Sequence, residues 1–317
     1  MNQTAEFQPL WRRLWNRPGV RGMSLMLFRL LVFIALLVGL GFAMRYLIPL
    51  PDITVAESLQ VRGSELWVRA FRSLLPPVLA YWLLVRFVER RKVSEFAPRD
   101  LFKHSAIGWL VGMGILLLAA GVMAAFGAFR VDGFNENVYL LGPFVVLGLK
   151  AGVLEEIITR GILFRVVEEG VGTWVALIFS AFIFGFMHAA NPNATIWSSV
   201  AIAIEAGLLL GMAYAWTRSL WFCIGLHAAW NFTQGPLLGI SVSGIEVNGV
   251  LASRTMGPEL ISGGEFGAEA SIIALVICVS LALFFTRKAI AEGKILKPSW
   301  RRPLPSASAA ATVTEPV

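Results

Sequence analysis

The stretch Val153 to Arg165, VLEEIITRGILFR, decides the fold: it sets two adjacent glutamates and an arginine inside a segment otherwise apolar enough for lipid. Each such charge costs about 2.5–3.5 kcal/mol at the centre of a membrane helix, so Glu155, Glu156 and Arg160 together would cost roughly 8–10 kcal/mol without partners. On a helix, residues four apart share a face, which pairs Glu156 with Arg160. Glu155 points about 100° away and is left free. The three groups are therefore either a buried polar knot that fixes helix packing or the start of a reactive site.

The rest of the chain supports the membrane setting. Its 317 residues are 57% hydrophobic and only 15% charged, with a mean hydropathy of +0.71. A soluble domain needs a more polar surface. Windows of about 20 apolar residues fall near 24–48, 67–88, 106–129, 138–167, 171–190, 195–217, 219–236 and 269–287. This predicts an all-α, polytopic transmembrane bundle of about eight helices. The second window is the least regular, because Arg69, Arg72 and Pro76-Pro77 interrupt it.

The net charge of +7 comes without a basic helix or an aromatic-basic surface, so nucleic acid is not an expected partner. Lys and Arg instead gather in alternate connections: the N-terminal tail, Arg86 to Lys103, Arg160 and Arg165, Arg218, and Arg287 to Arg302. Basic segments are retained inside the cell. Both termini are accordingly expected in the cytoplasm, in a multi-pass cell-membrane protein whose first helix is a retained signal anchor. Cys223 and Cys278 lie in apolar runs, which excludes a disulfide framework.

Histidine is scarce, with three in the chain. In FGFMH, Phe184 and His188 share a helix face, and in HAAWN so do His227 and Asn231. Glu155 and His188 flank the turn Gly170-Val171-Gly172 at nearly equal separation, so an antiparallel hairpin sets both roughly 22–27 Å from it. His227 lies only about 15 Å from the turn at Arg218, a difference in depth that hydropathy does not resolve. Each polar residue could be a simple interhelical hydrogen bond. Jointly, a free carboxylate, two imidazoles and a carboxamide match the needs of peptide hydrolysis, as base, water-orienting group and oxyanion donors. Two histidines and a glutamate are also a common zinc set. Glu205, midway along the sixth window, is expected as a supporting residue or structural acceptor, Lys150 as a snorkelling or paired cation, and His104 as solvated.

The ordered series EEIITR, FGFMH and HAAWN resembles the CAAX protease and bacteriocin-processing family of intramembrane endopeptidases, related to the type II CAAX prenyl endopeptidase. The resemblance covers about Leu154 to Gly235. It implies that Glu155 activates water with His188, that His227 and Asn231 stabilise the oxyanion or help bind metal, and that Glu156 and Arg160 organise the site. A divalent metal such as zinc, held by Glu155, His188 and His227, and a metal-independent glutamate mechanism are both compatible with it. The implied partner, besides the lipid bilayer, is a protein or peptide substrate, prenylated or not.

The expected organisation is a cytoplasmic tail (1–22), N-terminal transmembrane helices (23–137), the catalytic helical core (138–236), an extracytoplasmic loop (237–268), a last transmembrane helix (269–287) and a disordered cytoplasmic tail (288–317). Two other functions fit the same residues. One is a non-catalytic scaffold or bacteriocin-immunity factor. The other is a proton-coupled transporter, which needs a continuous polar path.

Overall fold

The computed structural model describes residues 17–302. The tail expected over 1–22 lies largely outside the described residues, as does 303–317. Eight long helices follow in order: α1 (Pro18–Leu47), α2 (Gly63–Val88), α3 (Leu101–Ala125), α4 (141–171), α5 (Thr173–His188), α6 (Ile196–Thr217), α7 (220–237) and α8 (Ile272–Ala291). Among the described residues, α1, α2, α3 with its N-terminal extension from Ser94, α6 and α8 are long and apolar enough to cross a membrane, while α5 is apolar but shorter. The all-α membrane bundle is thus the observed architecture.

The interrupted second window is one continuous helix. Arg69 pairs with Glu65 at 2.7 Å, and Arg72 donates to the carbonyls of Ile48 and Leu50 at 3.2 and 3.0 Å. Both guanidiniums therefore leave the apolar layer for the α1–α2 connection, as long side chains near helix ends can.

The most extensive helix contact joins α3 to α7, and glycine makes it possible. A Cβ on Gly112 would stand 2.2 Å from the Leu226 carbonyl oxygen, and one on Gly225 would stand 2.3 Å from that of Ser105. Small residues let membrane helices approach backbone to backbone. Gly112→Ala is therefore expected to cost about 1–3 kcal/mol by overpacking, read as a lower thermal midpoint of the purified protein. An unchanged midpoint would contradict this account of the contact.

One end of the bundle is a web of ion pairs. Arg165 donates to both oxygens of Glu89 at 2.9 and 3.0 Å, Arg91 adds a bond at 2.8 Å, and Arg29 pairs with Glu169. Burial alone would raise the Glu89 carboxyl, but Arg165, Arg91 and Arg29 outweigh it and hold the group below its ordinary range. At the α4–α5 turn Gly172 adopts φ +89°, and a Cβ there would meet the Leu296 carbonyl oxygen at 2.9 Å.

Three expectations change. The tail expected to be disordered from 288 is instead placed as far as Arg302: α8 continues to Ala291, the Leu296 N–H bonds Thr173 Oγ1 at 2.8 Å, and Arg302 donates to the Glu169 carbonyl. The segment expected as a loop over 237–268 folds inward, with Val242 and Phe266 buried and the Gly244 N–H donating to the Phe266 carbonyl at 2.7 Å. It also carries β2 (Leu251–Thr255), which pairs antiparallel with β1 (Phe129–Phe134) in a ribbon that the helical reading did not contain. Strands this short lack a legible period, and their pairing depends on a partner more than a hundred residues away.

Candidate active site

Around the two glutamates α4 alternates helical types: wide π turns over Phe144–Lys150 and Ile157–Phe164 enclose the α-helical Ala151–Glu156. Such turns are frequent at functional sites because they re-aim side chains within a helix. Glu156 is completely buried. Its Oε1 accepts from Arg160 Nη1 at 2.9 Å and from His227 Nδ1 at 2.9 Å. Arg160 places its other donors on Thr159 Oγ1 (2.8 Å) and on the carbonyls of Ala206 (2.9 Å) and Gly207 (3.3 Å), and its guanidinium lies 4.6 Å from the Phe184 ring centre. These two opposite charges thus tie α4 to α5, α6 and α7 through one ion pair, Nη1 to Oε1, with Glu156 Oε2 and Arg160 Nε left unbonded.

Glu155 does the opposite. Its Oε2 is buried yet takes no hydrogen bond, and it faces His188 Nε2 at 3.8 Å and His227 Nε2 at 3.9 Å. Both imidazoles are oriented through their other nitrogen: His188 Nδ1 bonds the Phe184 carbonyl at 2.8 Å, and His227 Nδ1 bonds Glu156. A carbonyl oxygen and the carboxylate oxygen paired with Arg160 both accept, so each Nδ1 carries a proton and each ring turns its Nε2 toward Glu155. Gaps of this length exceed a direct hydrogen bond and suit a bridging water. Asn231 donates from Nδ2 to the Leu147 carbonyl at 2.8 Å, which leaves its second N–H free.

These groups line a cavity of about 200 Å³ whose apolar walls include Val146, Leu147, Leu209, Leu226 and Trp230. Val55, Asn191, Ser243 and Ile245 also line it, so its mouth lies at the end of the bundle opposite the arginine web. Toward that web, Phe164, Tyr214 and Leu220 are fully buried, with the Phe164 and Tyr214 rings packed edge to face.

The structure therefore brings Glu155, His188, His227 and Asn231 to one cavity and sets Glu156 and Arg160 behind them. The depth mismatch of His227 disappears because α7 starts inside the bundle: Arg218 turns the chain with φ +54°, and Ser219 and Leu220 are already buried. Glu205, expected as an acceptor or supporting residue, accepts no hydrogen bond. Lys150 lines the cavity, and His104 on α3 is half-buried rather than solvated. Glu269 and Ser243, on the cavity wall, carried no sequence signal: Ser243 arrives through the folded 237–268 segment and Glu269 immediately after it.

The carboxylate and two imidazoles are zinc-type donors, and the Glu156–His227 bond is the sort of outer contact that orients a metal-binding imidazole. As they stand, however, no three His, Cys, Asp or Glu side chains among the described residues are spaced to hold a metal ion.

Comparison with known proteins gives two matches. Residues 137–233 match the family described as Type II CAAX prenyl endopeptidase Rce1-like. The chain is 25% identical over 253 residues to "Putative membrane peptidase YdiL" of Bacillus subtilis (strain 168), covering 76% of this chain and 94% of that protein. No solved structure matches the chain.

Proposed function

We propose, from the match of residues 137–233 to the Type II CAAX prenyl endopeptidase Rce1-like family, that the protein is an intramembrane endopeptidase. The observation that carries this reading is the buried, unbonded Glu155 Oε2 with two imidazole nitrogens turned toward it. A group that only locked helices together would be tied to its neighbours, as Glu156 is through Oε1 to Arg160 and His227. A proton-coupled transporter would need a polar route past Phe164, Tyr214 and Leu220, which are packed together as an apolar floor.

In this reading Glu155 takes a proton from a water that His188 Nε2 holds by accepting its other hydrogen. The oxygen bonds to the scissile carbonyl carbon, and the negative charge moves to the carbonyl oxygen. Asn231 Nδ2 donates its free N–H there. His227 adds a second donor there when its Nε2 also carries a proton. Glu155 then passes its proton to the leaving amine as the C–N bond breaks. A divalent ion such as zinc would supply an acidified water, but Glu155, His188 and His227 would have to shift from their present spacing to hold it. None of the steps above needs it.

Retention of the arginine-rich end in the cytoplasm puts both termini inside and the cavity mouth outside. The substrate is then a peptide or protein segment exposed at the outer surface or within the outer leaflet, whether prenylated or not. Purified protein incubated with a peptide library should release fragments, with and without chelator. The same peptides should be cut when added outside intact cells that express the protein. No cleavage in any condition would end the protease reading. Cleavage only in broken cells would reverse the orientation, and loss of activity with chelator would select the metal mechanism.

A further inference from the structure

Two cavity carboxylates take no part in that hydrolysis. Glu205 sits in a π turn of α6 (Ala203–Leu208), is completely buried, lines the cavity, and has no hydrogen-bond partner on either oxygen. An uncompensated carboxylate at such depth is costly, and a glutamine or leucine would avoid that cost. Glu269, also buried, accepts from the Ser243 N–H and from Gln234 Nε2. Both donors are neutral, so they solvate its charge without balancing it. Burial pushes the Glu269 carboxyl above its ordinary range, against those two bonds.

The cavity has little positive charge of its own. Arg160, behind it, is already engaged by Glu156, Thr159 and two carbonyls. Lys150 is the cationic residue on the lining, against Glu155, Glu205 and Glu269. A neutral or acidic peptide would leave these carboxylates unmatched. A protonated amine or guanidinium would supply the missing donors and offset their burial.

We infer that Glu205 and Glu269 form a subsite that selects a lysine or arginine side chain of the substrate close to the cleaved bond. The inference rests on the endopeptidase reading for its meaning in catalysis, but the subsite itself is a matter of binding. Glu155, Glu205 and Glu269 line one and the same cavity. The basic residue must therefore lie at, or next to, the position that meets Glu155.

The test measures binding apart from cleavage. Fluorescent decapeptides with a single lysine moved along the sequence, and their norleucine counterparts, are titrated against purified Glu155→Gln protein. At one position the lysine peptide is expected to bind at least about tenfold tighter, in line with a charge-assisted bond. Adding Glu205→Gln or Glu269→Gln should shrink that ratio toward one. No lysine preference in the Glu155→Gln protein, or a ratio that survives both substitutions, overturns the subsite. Should either added substitution prevent folding, the other decides. A lysine preference in binding, found in a protein whose wild type cleaves nothing, would keep the subsite and discard the endopeptidase reading.

Discussion

Glu155→Gln is expected to lower kcat/KM for peptide cleavage by about 10²–10⁴-fold, the usual range for removing a general base. Stability should hardly change, and this separates a chemical role from a structural one. The Glu155 side chain forms no hydrogen bond through Oε2, and glutamine keeps its shape while removing an uncompensated charge. Fragment release and thermal unfolding measured on the same preparation provide the check. Retained cleavage would remove Glu155 from the mechanism. Loss of both cleavage and folding would return the residue to the polar knot that its sequence first allowed.

The second large effect lies one residue on. Arg160→Met leaves Glu156 buried with only His227 as partner, while Glu156→Ala leaves the guanidinium without its counter-charge. Breaking a buried pair from one side costs about 3–5 kcal/mol, whereas replacing both members with neutral groups can be nearly free. Each single substitution should therefore lower the thermal midpoint sharply. The double variant Glu156→Gln with Arg160→Met should recover much of the loss but not the activity, because His227 loses the carboxylate that orients its Nδ1. Arg160→Met protein as stable as the parent would show that the pair does not hold α4, α6 and α7 together.

The parts legible in sequence were those governed by local geometry. Helix spans followed from runs of apolar residues, the Glu156–Arg160 pair from a spacing of four, and the approach of Glu155 to His188 from their symmetry about the Gly170–Gly172 turn. What depended on distant partners was not legible. The start of α7 inside the bundle, the ribbon between β1 and β2, the inward fold of residues 237–268 and the docking of 292–302 are all set by contacts between segments far apart in the chain. Glu205 was visible as a charge in an apolar helix, but its lack of any partner appears only once its neighbours are in place. Glu269 could not be singled out at all, because a carboxylate just before an apolar helix usually sits in water.

The backbone contact between α3 and α7 bears on how a substrate could be admitted. Where glycine lets two main chains touch, neither helix can slide or tilt without collision, so the wall carrying His227 and Asn231 behaves as a stationary jaw. Any widening then falls to the other side of the cavity, which carries Val55, His188 on α5 and Glu205 on α6. The oxyanion donors would keep their aim while the peptide is seated against them. The strain introduced by Gly112→Ala would thus be felt at His227 as well as in the unfolding temperature.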